Sequence, residues 1–228
     1  MYALIPARNE APRVADVVRG ALRHVDAVLV VANGCHDDTA SIAHDAGAEV
    51  IESEPGYGLA LQAGYRHLRG NGVVQLDADG QHPPEEIPLL LARMVGADIV
   101  IGSRFMGAPC YRVPLTRRLA IMGLSGLTSA MIRQRVRDVT SGFQALSPRA
   151  VAVFAQHFPP HMPDANTLVL ARRMGLALAE VPVEMRERQG GRGMHDGRPS
   201  PSYVLEMARA VLREAMLAPH PGARSSEG

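Results

Sequence analysis

The chain has 228 residues, 46% of them hydrophobic and 21% charged, with a formal net charge of +1. That length suits one large globular domain with its own core, and the near-neutral balance gives no reason to expect a nucleic-acid partner. Two cysteines, Cys35 and Cys110, are too few for a disulfide framework. The N-terminus lacks a basic segment followed by a long apolar run, and no stretch reaches the roughly 18 apolar residues that span a bilayer, so the sequence predicts a cytoplasmic chain.

In chain order, Tyr2 to Ile5 reads as a strand, and Val14, Val17, Val18, Ala21, Leu22 and Val25 recur at helical spacing. Ala27 to Ala32 is a continuous, largely β-branched run, the pattern of a strand buried on both faces. The alternation continues with a helix over Thr39 to Ala46, a strand over Glu49 to Glu52, a helix over Leu59 to Leu68 and a strand over Val73 to Leu76. A helix opens at Pro83-Pro84-Glu85-Glu86, with proline at its start and carboxylates in its first turn, and a strand follows over Asp98 to Ile101. Such a βαβα order predicts an α/β fold with a mostly parallel sheet and helices on both faces. The loops after Pro6, Asn33, Asp77 and Ser103 then meet at the carboxyl edge, where such sheets bind ligands. The second half predicts helices over Leu115 to Gln134, near Arg149 and near Asn166, then a strand over Leu178 to Val183. A Gly-, Arg- and Pro-rich loop from Arg188 to Pro201 and an amphipathic helix over Tyr203 to Leu217 complete it, with a disordered tail over 218–228.

The sharpest chemical signal is Val73-Val74-Gln75-Leu76-Asp77-Ala78-Asp79-Gly80-Gln81. An apolar strand runs into two carboxylates one residue apart, and at a strand end both can approach one cation. Mg²⁺ or Mn²⁺ takes hard oxygen ligands and bridges carboxylates to phosphates, with Gln81 able to add an amide oxygen. The competing reading makes Asp77 and Asp79 caps of the turn into the next helix.

Pro6-Ala7-Arg8-Asn9-Glu10, the segment from Val30 to Thr39 and the Asp77 segment together resemble family 2 glycosyltransferases of the GT-A fold. Gly56-Tyr57-Gly58-Leu59, Ile101-Gly102-Ser103-Arg104-Phe105, Thr140-Ser141-Gly142-Phe143 and Glu180-Val181-Pro182-Val183 are similar to landmarks of that family. So is the 188–193 loop. The resemblance covers roughly residues 2–194 and is greatest to dolichyl- and polyprenyl-phosphate sugar synthases. It implies a GT-A domain over 1–195, an appended loop and helix over 196–217, and an inverting transfer from a GDP- or UDP-sugar. By the same resemblance Pro6, Ala7, Arg8, Asn9, Glu10 and Asn33 hold base and ribose. Asp77, Asp79 and Gln81 hold the metal on the diphosphate, and Arg104 and Arg188 face phosphates. Asp164 and Asp79 are the candidate catalytic carboxylates, with His82 a further candidate base. The chain departs from the family at Ala32-Asn33, where a pair of aspartates is usual, at Tyr57 in place of a common lysine, and at Gly193-Met194 in place of Ser-Lys. A neutral carbonyl at Asn33 leaves the nucleotide open.

The acceptor is open between a polyprenyl phosphate and a soluble hydroxyl compound. Apolar faces over Leu119 to Ile132 and Val204 to Ala215, flanked by arginines, predict a peripheral rather than integral membrane protein, and the same faces suit a core or a homodimer. Two rivals remain. A sugar-phosphate nucleotidyltransferase needs a Gly-rich basic loop after its first strand, which Pro6 to Glu10 is not. A non-catalytic nucleotide-binding module would release no nucleoside diphosphate.

Overall fold

The structure is a computed structural model that describes residues 1–107, 115–186 and 201–217. The expected loop from Arg188 as far as residue 200, the tail and Cys110 therefore lie outside the described residues, and Pro201, its predicted last residue, opens a helix. The strands are β1 (Tyr2–Ala7), β2 (Ala27–Asn33), β3 (Glu49–Ser53), β4 (Val73–Gln75), β5 (Ile99–Ser103), β6 (Gln144–Leu146) and β7 (Leu178–Pro182). The helices are α1 (Val14–Ala21), α2 (Thr39–Asp45), α3 (Tyr57–His67), α4 (Ile87–Ala92), α5 (Leu115–Ile132), α6 (Pro148–His157), α7 (Ala165–Arg173) and α8 (Pro201–Met216). The predicted helix at Pro83 begins as a 3₁₀ turn over Pro84–Glu86 before α4.

One sheet runs in the order β3-β2-β1-β4-β6-β5-β7. Neighbours pair in parallel except β6, which is antiparallel to both β4 and β5. Strand β6 is the element that the periodicity missed, because Gln-Ala-Leu is too short to show a period. Its direction matters for the site. A strand running against β4 and β5 begins where they end, so the 138–143 loop that feeds β6 arrives beside Asp77 and Arg104.

Both faces of the sheet are covered, which is why β1 is almost wholly apolar and β2 is apolar up to Asn33 at its end. Leu4, Leu29 and Val31 point into one core with Tyr65, Ile101 and Phe154. Their alternates Ile5, Val28 and Val30 point into a second core with Val14, Leu76 and Ile87. Each fully buried aliphatic side chain contributes about 1.5–3 kcal/mol relative to exposure. Helix α3 approaches β1 closely at Gly64, where an added Cβ would stand 2.3 Å from Leu4 Cδ1. Helix α8 is seated against α5 and α7 and belongs to the first core, with Met207 and Val211 completely buried.

Candidate active site

The carboxylate pair sits where the sequence places it, in the turn leaving β4. Gly80 holds φ +77°, a left-handed conformation that lets the chain reverse straight after Asp79. Asp79 Oδ1 accepts the Gln81 N–H at 2.9 Å, so this carboxylate also stabilises its own turn, as the capping alternative expects. The Asp77 N–H donates to His82 Nδ1 at 3.0 Å, and the His82 ring stacks on Phe143 with centroids 5.2 Å apart. Burial pushes the His82 pKa down to about 4. Asp77 Oδ2 lies 3.6 Å from Nδ1, yet the pair is no ion pair, because that nitrogen's lone pair already takes a backbone proton. His82 is thus neutral and architectural at ordinary pH, with Nε2 carrying its proton.

Asp77, Asp79, Gln81 and Arg104 line a cleft of about 600 Å³ that Asp164, Tyr203 and Glu206 also line. Arg104 is bound by the completely buried Asp138: its Nε donates to Oδ2 at 2.7 Å and its Nη2 to Oδ1 at 2.6 Å. The same Nη2 donates to Thr140 Oγ1 at 2.8 Å. Asp138 is itself held by its N–H donating to Glu180 at 2.9 Å. The fork-to-fork geometry fixes the guanidinium plane at the cleft wall. Asp138 and Glu180 were not foreseen as supports, since isolated carboxylates carry no spacing signal.

Asp164 is the N-cap residue of α7, but its side chain makes no capping bond. Its carboxylate instead accepts from the Tyr203 hydroxyl of α8. Burial raises its pKa to about 6, against the lowering effect of that hydrogen bond. Tyr203 lies far along the chain, and only the docking of α8 brings it here.

Pro6, Ala7, Arg8, Asn9, Glu10 and Asn33 do not line this cleft; they form an adjoining edge at the ends of β1 and β2. Asn9 adopts φ +55° and its Oδ1 accepts the His36 N–H at 2.9 Å, while the Glu10 N–H donates to Thr39 Oγ1 at 2.9 Å. These bonds tie the two loops together. Asn33 Oδ1 accepts the Gly56 N–H at 2.7 Å, which joins that edge to the cleft at the start of α3. Arg188 lies outside the described residues.

Among the described residues no three His, Cys, Asp or Glu side chains gather as metal ligands. Asp77, Asp79 and Gln81 nevertheless line one cleft with oxygens that can serve as ligands, and the imidazole nearest them already accepts the Asp77 N–H. That chemistry fits a hard cation sharing its coordination with phosphates, and does not fit a closed zinc site.

Residues 2–151 match the family described as Glycosyl transferase family 2. The chain belongs to that family. This family 2 glycosyltransferase is 32% identical over 186 residues to a dolichyl-phosphate hexose transferase of Haloferax volcanii, covering 80% of the chain and 81% of the relative. It is 29% identical to an undecaprenyl-phosphate mannosyltransferase of Micrococcus luteus, covering 100% and 99% respectively. It is 28% identical to a dolichyl-phosphate beta-glucosyltransferase of Trichomonas vaginalis, covering 93% and 72%. Among solved structures it superposes on glucosyl-3-phosphoglycerate synthase from Mycobacterium tuberculosis with a TM-score of 0.73 at 22% identity, covering 97% of this chain and 80% of that one. The α/β sheet is thereby the GT-A fold. Among the described residues no helix of this glycosyltransferase is long and apolar enough to cross a membrane.

Proposed function

We propose that this glycosyltransferase is a metal-dependent, inverting hexosyltransferase that moves a sugar from a GDP- or UDP-sugar to a polyprenyl phosphate at a membrane surface. The observation that carries the reading is that Asp77, Asp79 and Gln81, which can all offer oxygen ligands, follow the end of β4 and line one cleft. The names of the relatives above, which specify dolichyl or undecaprenyl phosphate, support the acceptor class. The neighbour of the same fold was solved with Mn²⁺ and UDP, which suits the same donor set.

In this reading the loop from Pro6 to Glu10 and Asn33 hold base and ribose. Asp77, Asp79 and Gln81 hold Mg²⁺ or Mn²⁺ against the diphosphate. The cation would supply neutralisation of the charge that develops on the leaving group. Arg104, its plane set by Asp138, faces the same phosphates, and Arg188 is assigned there too. The acceptor enters opposite the leaving group, between Asp77 and Asp164, which gives inversion. A phosphate acceptor brings its own negative oxygen and needs no base.

The outer surfaces of α5 and α8 suit a lipid headgroup layer. Leu119 and Met122 stand exposed on α5 beside Arg118, and Leu205, Leu212 and Met216 on α8 beside Arg209 and Arg213. Helix α8 also carries Tyr203 and Glu206 into the cleft, so one helix connects that surface to the acceptor side.

A second reading, transfer to a soluble hydroxyl compound, is favoured by one observation. Asp164 faces the cleft with a pKa raised to about 6, the range of a useful general base.

Two measurements test the proposal. Asp79→Asn abolishes transfer and weakens donor binding without unfolding the protein; full activity of that variant, or activity in excess EDTA, overturns the metal assignment. Sedimentation with anionic liposomes and an assay with a short polyprenyl phosphate test the acceptor. Transfer only to a soluble hydroxyl compound, with no liposome binding, overturns the lipid reading.

A further inference from the structure

Beneath the carboxylate pair runs a hydrogen-bond relay that none of the roles above uses. The fully buried Tyr65 hydroxyl donates to Gln75 Oε1. Gln75 Nε2 donates to the Gly142 carbonyl at 3.0 Å and to the Tyr57 hydroxyl oxygen at 3.3 Å. The Tyr57 hydroxyl donates to Asp77 Oδ1 at 3.1 Å. The two ends of an amide are often interchangeable in a structure, but here a backbone carbonyl decides. It can only accept, so the Gln75 NH₂ must face Gly142 and therefore Tyr57 as well. With its oxygen accepting from that amide, Tyr57 directs its own proton to Asp77. A phenol is neutral at ordinary pH, so the proton is there to donate.

We propose that Tyr57 is a positioning residue that fixes the rotation of the Asp77 carboxylate toward the metal-diphosphate. The inference rests on the reading of Asp77 given above. A carboxylate's terminal torsion is broad and roughly two-fold, so a carboxylate at a strand end has no preferred plane of its own. A rigid phenol anchored from behind by Gln75 supplies one through a single charge-assisted hydrogen bond. Being neutral, it orients the carboxylate without adding positive charge that would compete with a cation. Space is tight on its far side also: an added Cβ at Gly142 would lie 3.0 Å from the Tyr57 oxygen.

Mn²⁺ binding tests the idea without relying on turnover. Free Mn²⁺ is followed by its EPR signal in the presence of saturating UDP, and of GDP in a parallel series. Tyr57→Phe keeps the ring and removes the donor. It is expected to weaken Mn²⁺ binding roughly tenfold, the scale of one hydrogen bond to a charged group, with the melting temperature nearly unchanged. Gln75→Met removes the amide that orients the phenol and gives a smaller loss in the same direction. If Tyr57→Phe does not fold, Gln75→Met decides on the same terms. Parent-like Mn²⁺ binding in these variants, beside lost binding in Asp77→Asn, overturns the positioning role and leaves the metal assignment standing. Parent-like binding in Asp77→Asn overturns the assignment of Asp77 and this inference with it.

Discussion

At Asp164 burial and hydrogen bonding pull against each other, and burial wins, raising the pKa from 3.8 to about 6. The native state therefore holds this proton more tightly than the unfolded chain does. Stability from this group is present below pH 4 and is lost as pH rises through about 6. Asp164→Asn keeps an acceptor for Tyr203 and removes the charge. Its unfolding free energy relative to the parent should rise between pH 4 and 7 and level off above, by on the order of 2 kcal/mol after allowance for solvent reaching a partly exposed group. A constant difference across that range would refute the buried-carboxylate account. The same variant separates the two acceptor readings. With a hydroxyl acceptor, loss of the base abolishes transfer. With a phosphate acceptor, transfer survives and keeps an acid limb near pH 6 from the acceptor's own second ionisation.

Among the elements, the start of α3 is the most constrained. A Cβ added at Gly58 would lie 2.4 Å from the Pro160 carbonyl oxygen, a backbone atom that cannot swing away. Gly58→Ala should cost about 1–3 kcal/mol, and because Gly58 and Pro160 both line the cleft, it should lower activity beyond the loss of folded protein. Chemical denaturation and activity per folded molecule check this together. Helix α8 gives a second case. Its Met207 is completely buried against α5 and α7, so Met207→Ala should destabilise by about 2–5 kcal/mol. Unchanged stability in Met207→Ala would mean that α8 does not form part of the core.

For the whole molecule, most of the exposed large apolar side chains among the described residues lie on two helices in mutual contact, α5 and α8, with Leu89 and Val95 exposed elsewhere. If these form one membrane-facing surface, Leu119→Glu combined with Leu212→Glu lowers liposome sedimentation at least tenfold. The melting temperature and transfer to a detergent-dispersed acceptor stay at the parent's level, since neither side chain is buried or lines the cleft. Equal sedimentation of parent and variant would place lipid contact elsewhere.

The alternating apolar runs of β1, β2 and β5 were legible from sequence because both faces of a parallel sheet are buried, and burial on two faces leaves an unbroken hydrophobic record. The Asp77-Asp79 turn was legible for a related reason: two charges directly after such a strand stand out against it. The family could also be read, since its motifs are local and ordered. Strand β6 could not, because three residues hold no period, and its antiparallel course is decided by the gap between β4 and β5. Nor could the supports be read. Asp138 under Arg104, Tyr57 on Asp77 and Tyr203 on Asp164 join residues 20 to 39 positions apart. Such pairs follow from the packing of helices and loops on the sheet. The sequence by itself determined which polar side chains stand at the strand ends; the tertiary structure alone decided which neighbours hold them, because contact between distant residues depends on packing that no local pattern records.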